Sequence, residues 1–218
     1  MLRMYGVSGK LLNGIKSMYD GSKACVRVNG SLSEWFDIDS GVRQGCVMSP
    51  WLFNVFMDGV MKEVRMRING MGIGLERDGI EWTLSDLMYA DDVVFMAKSE
   101  RELSVMIQNF DYVCKRRGLK VNVDKSKVMI VGENVDHACE VRMSGHVLER
   151  VNDFKYLGSV VNDRGTDVDD CNARVASGRK VAGAIRLLVN ERNLNMSCVN
   201  VLHEKLLVPV LMYGSECQ

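Results

Sequence analysis

Leu87-Met88-Tyr89-Ala90-Asp91-Asp92-Val93-Val94-Phe95 is the stretch on which the reading of this chain turns. Two short runs of large apolar residues enclose Ala90-Asp91-Asp92, so the pattern predicts a β-hairpin with the acidic pair at or beside its turn. Adjacent carboxylates on a tight turn repel each other, and no neighbouring cation in the sequence relieves that repulsion. A divalent metal would relieve it. Mg2+ takes a few carboxylate oxygens and completes its shell with water and substrate phosphates, as in two-metal phosphoryl and nucleotidyl transfer. Taken alone, an Asp-Asp pair is more simply a solvated turn, because Asp is a common turn former. The surrounding sequence decides between the two.

Toward the N-terminus, Ile73 to Glu76 and Ile80 to Leu84 flank Asp78-Gly79 as another hairpin. Ser49-Pro50 reads as the N-cap and first residue of a helix, in which Trp51, Leu52, Val55, Phe56, Val60, Met61 and Val64 recur at helical period until the chain nears Gly70. That wide apolar face requires burial. Asn29-Gly30 lies between Ala24 to Val28 and Leu32 to Ile38, the dipeptide that favours a tight antiparallel turn. Ser8 to Tyr19 is an amphipathic helix with Ser8 as N-cap and Gly21 past its end.

Toward the C-terminus, Ser99-Glu100-Arg101-Glu102 is a capping box. It opens a helix with Leu103, Met106, Ile107, Phe110, Val113 and Cys114 on one face, stopped by Gly118. Leu119 to Val131 reads as a strand broken near Asp124-Lys125, Val141 to Val151 as a hairpin turning at Ser144-Gly145, and Phe154 to Val161 as one further strand. Beyond Gly165 the pattern is helical, around Asp169 to Val189 and Ser197 to Leu207. That change of pattern is the only candidate boundary.

Composition narrows the function classes. A chain of 218 residues that is 47% hydrophobic and 26% charged has an ordinary globular makeup, which excludes disordered and collagen-like classes. Lys plus Arg and Asp plus Glu number 28 each, so any phosphate-binding surface has to be local. Lys115, Arg116, Arg117 and Lys120, followed by Lys125 and Lys127, form one such cluster; the alternative is a solvated helix end whose cations suit the C-terminal dipole. Seven cysteines without a Cys-x-x-Cys pair read as reduced core thiols, and His137, Cys139 and His146 do not have zinc-ligand spacing. The most apolar stretch, Val47 to Met61, is interrupted by Ser49, Pro50, Asn54 and Asp58, so no membrane span or secretory signal is expected and the chain is expected to stay inside the cell.

In its context, Tyr89-Ala90-Asp91-Asp92 resembles the motif with which reverse transcriptases present metal-binding aspartates on a β-hairpin. Gly41-Val42-Arg43-Gln44-Gly45, Ser49-Pro50 and Phe53-Asn54 resemble the stretch those enzymes place beside the nascent base pair. Gly118-Leu119, Asn122 and Lys125-Ser126 resemble their next motif, and Phe154-Lys155-Tyr156-Leu157-Gly158 their primer-gripping hairpin. Four signals in the family's order, from about residue 6 to about residue 165, make coincidence a poor explanation. The likeness is to the non-LTR, LINE-type retrotransposon branch, and Val208 to Glu216 resembles part of its thumb.

The resemblance implies an α+β fold: a partial right-hand polymerase palm, with an antiparallel sheet and packed helices, followed by a partial helical thumb. Residues 1–163 would be palm with a remnant fingers hairpin, and residues 164–218 thumb. Asp91 would be the main metal ligand, for Mg2+ or Mn2+, and Asp92 a more peripheral one. Arg43, Gln44 and Gly45, with Tyr89 and Ala90, would lie at the nucleotide and template; Gly45 also reads as the start of a turn. Lys125 would offset charge on the departing pyrophosphate, or else is a surface lysine at a strand end. Tyr156, Leu157 and Gly158 would hold the primer, or else form a strand with a core aromatic. The partners implied are an RNA template and a DNA primer.

In the family the first catalytic aspartate lies on a strand preceding the helix that begins here at Ser8, and this chain starts at Met1, after that strand. The chain is therefore expected to be inactive by itself unless another chain completes the palm and supplies the carboxylate. Two other readings compete: a non-enzymatic nucleic-acid-binding remnant using the basic cluster and primer-grip hairpin, and a decayed open reading frame without selected function. An RNA-directed RNA polymerase usually has Gly in place of Tyr-Ala before the Asp pair, and no carboxylate and histidine cluster suggests a nuclease.

Overall fold

In the computed structural model, which describes residues 1–132, 140–192 and 194–217, each of the Asn-Gly, Asp-Gly and Ser-Gly dipeptides above forms a turn. Asn29 (φ 49°) and Gly30 (φ 86°) join β2 (Arg27–Val28) to β3 (Ser31–Leu32). Outside that pair β1 (Lys23–Ala24) meets β4 (Phe36–Asp37), and Val26 and Ser33 bridge the gap through Ser33 N–H to Val26 O at 2.9 Å. Asp78 (φ 55°) and Gly79 (φ 75°) join β5 (Ile73–Arg77) to β6 (Ile80–Leu84) in full antiparallel register. These positions need positive φ, which Gly, Asn and Asp tolerate.

The chain forms two compact units, one from Met1–Val121 with Val141–His146, the other from the described parts of 122–140 and 147–218. In the first, α1 (Gly9–Tyr19) follows Ser8, whose extended backbone fits an N-cap although its side chain makes no cap hydrogen bond. Helix α2 runs Ser49–Arg67, so Ser49 is its first residue and not its N-cap, a correction of one position. The cause is a competing acceptor: Ser49 Oγ donates to the Arg43 carbonyl at 2.6 Å. Helix α3 is Glu100–Arg116, and Ser99 Oγ accepts from Glu102 N–H at 3.2 Å as the capping box requires. Glu102 turns its carboxylate to Lys98 N–H (2.9 Å) and Gly72 N–H (2.8 Å), tying the helix start to the β5 entrance.

Met57, Val60, Met61, Val64 and Ile68 from the α2 segment and Met106, Ile107, Phe110, Val113 and Cys114 from α3 are buried together with Val141 and Met143. At about 1.5–3 kcal/mol for each large side chain taken out of water, this is the unit's main stabilisation. On it sit β7 (Asp86–Tyr89) and β8 (Asp92–Phe95), with Phe95 edge-on to Phe110 at 5.1 Å between ring centres. Gly72 (φ 128°) closes the base: a Cβ there would lie 2.5 Å from the Leu84 carbonyl oxygen. Backbone cannot yield cheaply, so Gly72→Ala is expected to destabilise the chain by about 1–3 kcal/mol. Urea unfolding checks this; an unchanged midpoint contradicts it.

In the second unit, β9 (Lys127–Val128) pairs in parallel with β12 (Glu149–Arg150). Between the two in sequence, β10 (Arg142–Met143), which belongs to the first unit, and β11 (His146–Val147) form a hairpin at Ser144-Gly145. The strand expected over Leu119 to Val131 reduces to Lys127–Val128, because Asn122 accepts from Lys125 N–H and Ser126 Oγ and turns the chain at 123–125. Phe154 to Val161 is likewise not one strand but a hairpin, β13 (Asp153–Tyr156) and β14 (Ser159–Asn162), turning at Leu157-Gly158. Helix α4 (Val168–Arg192) packs on β14.

The helix expected from Ser197 to Leu207 is α5 (Met196–Leu202) followed by a π-helical turn, His203–Leu207, and α6 (Val208–Leu211). Pro209 lacks the N–H that would have continued the regular ladder. Among the described residues no helix is long and apolar enough to cross a membrane. Of Cys25, Cys46, Cys114, Cys171 and Cys198, none of which is in a disulfide, only Cys114 is buried, which corrects the core-thiol reading. Cys139, with His137, lies outside the described residues.

Candidate functional site

Strands β7 and β8 differ at their two ends. At the open end Asp86 is buried, its side chain 1% exposed. Arg65 from α2 grips both of its oxygens (Nε at 3.1 Å from each, Nη2 at 2.6 Å from Oδ2) and Ser85 Oγ donates at 2.6 Å. Burial pushes the Asp86 carboxyl up, but the Arg65 and Ser85 hydrogen bonds and the Arg65 charge outweigh it and hold the group below the usual carboxylate range.

At the closed end Tyr89 pairs with Asp92 across the two-residue turn Ala90-Asp91. Asp91 and Asp92 are both exposed, and among the described residues neither forms an ion pair. Ala90 has φ 52°, a conformation that favours Gly and is strained for a residue with a Cβ. The same hairpin thus neutralises the carboxylate at its base and leaves two uncompensated at a strained tip. Two carboxylates on one turn fit the sparse protein share of a Mg2+ shell. Among the described residues no group of three or more His, Cys, Asp or Glu is placed to hold a metal.

Gly41 (φ 92°) and Gly45 (φ 79°) shape the loop before α2. Arg43 braces that loop: Nη2 donates to Ser22 Oγ at 2.9 Å, and the guanidinium lies over the Tyr19 ring at 5.7 Å. Gln44 and Gly45 line an open depression of about 420 Å³ with Cys46, Pro50 and Phe53. Nothing lies within 4 Å of a Cβ built on Gly45, and its positive φ makes the turn before α2.

Part of the basic cluster is paired inside the fold. Arg116 and Arg117 converge on Glu63 of α2 at 2.5 and 2.7 Å, Arg67 approaches it at 3.7 Å, and Lys115 pairs with Asp111 at 2.7 Å. The Arg117 hydrogen bond holds the Glu63 carboxyl below the ordinary range against the opposing effect of burial. Arg116 and Arg117 thereby tie the end of α3 to α2, while Lys115 and Arg67 pair within their own helices. Asp86, Arg65 and Glu63 went unnoticed in the sequence; the one available signal was an Asp at the head of an apolar strand.

Lys125 and Tyr156-Leu157-Gly158 belong to the second unit. Lys125 is exposed on the turn after Asn122. Leu157 (φ 48°) and Gly158 (φ 90°) close β13–β14. Positive φ in residues other than Gly, Asn and Asp thus marks Ala90 and Leu157, on the two hairpins singled out by motif, and also Ser144.

The sequence model of the family described as reverse transcriptase (RNA-dependent DNA polymerase) matches residues 3–161, which contain the β7–β8 hairpin, the Gly45 loop and the β13–β14 hairpin up to Val161. The chain belongs to the reverse transcriptases. Its relatives put this reverse transcriptase domain in the non-LTR retrotransposon branch. It is 28% identical over 189 residues to the Pol polyprotein of the type-2 retrotransposable element R2DM of Drosophila melanogaster, covering 83% of this chain and 17% of that polyprotein. It is 23% identical over 207 residues to the RNA-directed DNA polymerase from the mobile element jockey of the same species, covering 92% of this chain and 22% of that protein. A Pol polyprotein from a retrotransposable element of Nasonia vitripennis is 27% identical over 175 residues, 72% of this chain and 16% of its own length. The reverse transcriptase chain therefore spans about a fifth of these relatives' length.

Proposed function

We propose that this chain is the palm, residues 1–163 with β1–β4 as a fingers remnant, and part of the thumb, residues 164–218, of an RNA-directed DNA polymerase acting inside the cell. Asp91 and Asp92 are its share of a two-metal nucleotidyl-transfer centre. The observation that carries this is the unpaired, exposed state of both carboxylates at a strained turn, on a hairpin whose other acid is fully compensated.

Asp91 holds the metal and Asp92 adds charge at its edge. Mg2+, or Mn2+ in its place, supplies when bound the positive charge that stabilises the attacking and leaving oxygens of an in-line displacement. Gly45 lets template or nucleotide approach the backbone, with Gln44 as hydrogen-bond partner and Arg43 bracing the loop; Tyr89 and Ala90 flank the incoming nucleotide. Lys125 offsets charge on the departing pyrophosphate. Tyr156, Leu157 and Gly158 hold the primer. Residues 1–218 bring two carboxylates to this centre, so by themselves they are expected to be inactive, the remaining carboxylate coming from another segment or another chain.

The internal pairing of Arg116, Arg117 and Lys115 counts against a purely electrostatic nucleic-acid-binding module. It also sets an expectation. The chain binds an RNA–DNA template–primer hybrid with only a few phosphate contacts, so log affinity falls with log salt at a slope of about −2 to −4. Fluorescence anisotropy across a salt series measures this. A slope steeper than about −6 would restore the basic cluster as the binding surface, and no binding at low salt would contradict the polymerase reading.

A further inference from the structure

We infer that Tyr213 and Arg174 are positioning residues that hold the Tyr156-Leu157-Gly158 turn in its working shape, an inference that rests on reading that turn as the primer-holding hairpin. A two-residue turn with positive φ at both positions is easily made by Asn-Gly, as at Asn29-Gly30. Here Leu occupies the first position at φ 48°, where its Cβ crowds the following carbonyl oxygen. Its side chain does not offset that crowding by burial, being 39% exposed. The turn is held instead through its backbone.

Tyr213 Oη donates to the Leu157 carbonyl at 2.6 Å. Arg174 Nη2 donates to the Gly158 carbonyl and to Ser159 Oγ, the latter at 3.2 Å. The two holding side chains brace each other, with the Arg174 guanidinium over the Tyr213 ring at 4.7 Å. Arg174 is aimed by Asp170, whose Oδ1 lies 3.2 Å from Nη2 and also accepts from Val160 N–H at 2.8 Å. Asp170 is 4% exposed, so its direction is set by the fold. The Tyr213 ring also fills the space beside Gly158, where a Cβ would come within 3.3 Å.

Such an arrangement is poor at burying apolar surface, since Tyr213 remains 50% exposed. It is well suited to fixing two consecutive carbonyl groups on an exposed turn. Because both carbonyls are consumed by the two side chains, the rest of the turn is presented in one orientation, which a contact with a nucleic-acid backbone requires.

The test compares four full-length chains, unaltered, Tyr213→Phe, Arg174→Lys and Leu157→Asp, by thermal unfolding and by affinity for an RNA–DNA template–primer hybrid. Tyr213→Phe removes one O–H and keeps the ring, so the unfolding midpoint stays near that of the unaltered chain while hybrid affinity falls about fivefold, the loss expected for one hydrogen bond. Arg174→Lys, which keeps the charge but loses the planar fork, falls by a similar factor and serves as the second reading should Tyr213→Phe unfold. The inference is overturned if Leu157→Asp loses affinity while Tyr213→Phe and Arg174→Lys bind like the unaltered chain. If the unaltered chain binds no hybrid, or Leu157→Asp binds normally, the primer-holding reading fails and takes the inference with it.

Discussion

An Arg65→Met variant is expected to unfold about 2–4 kcal/mol more easily than the unaltered chain at neutral pH, and its stability is expected to respond to pH in the opposite direction. Removing Arg65 leaves the Asp86 carboxylate buried with, among the described residues, only Ser85 as a side-chain donor. The figure sits below that for a fully buried pair because the Arg65 side chain is 45% exposed. In the unaltered chain the Asp86 pKa is lowered in the fold, so its contribution is present above the unfolded value of about 4 and is lost as pH falls through the depressed folded value. In the variant burial dominates and the folded value rises above about 4, so stability increases as pH falls from about 6 toward about 4. Urea unfolding at two pH values distinguishes these. Parallel pH trends in the two chains would show that Arg65 does not set the state of Asp86.

Asp91→Ala is expected to act in the other sense, costing function and not stability. In a polypeptide carrying the whole reverse transcriptase region, it should lower primer extension about a thousandfold or more, because a two-metal centre loses most of its rate with one bridging carboxylate. Asp92→Ala should cost less, given the more peripheral role proposed for it. Neither change should lower the unfolding midpoint, since both carboxylates are exposed and removing one relieves like-charge repulsion across the turn. A large drop in stability with Asp91→Ala would mean that the pair is structural.

What could be read in the sequence was local. Asn29-Gly30, Asp78-Gly79 and Ser144-Gly145 announce their turns because backbone sign is a property of the residue itself. The buried faces of α2 and α3 follow from periodicity, as Val60, Met61 and Val64 or Met106, Phe110 and Val113 show. The tip of β7–β8 was legible by motif. Leu157-Gly158 was not legible as a turn from propensity, since Leu is a poor turn former and Tyr213 and Arg174 enforce the conformation from far along the chain.

The same distance hid Arg65 with Asp86 and Glu63 with Arg116 and Arg117. Charge counting showed a basic cluster but not that Lys115, Arg116 and Arg117 of it have acidic partners within the fold. The cysteines show a similar limit: apolar spacing suggested buried thiols, but only Cys114 of the described ones is in the core, where burial, and to a lesser extent Asp111, push its pKa up to about 11.

As proposed above, Asp91 and Asp92 form one part of a metal centre that works only with a further carboxylate. Extension of a labelled DNA primer on an RNA template by the purified 218-residue chain, in Mg2+ and again in Mn2+, tests it most directly. The predicted result is hybrid binding without product above that of the Asp91→Ala chain. Extension by the unaltered chain that disappears with Asp91→Ala would contradict it.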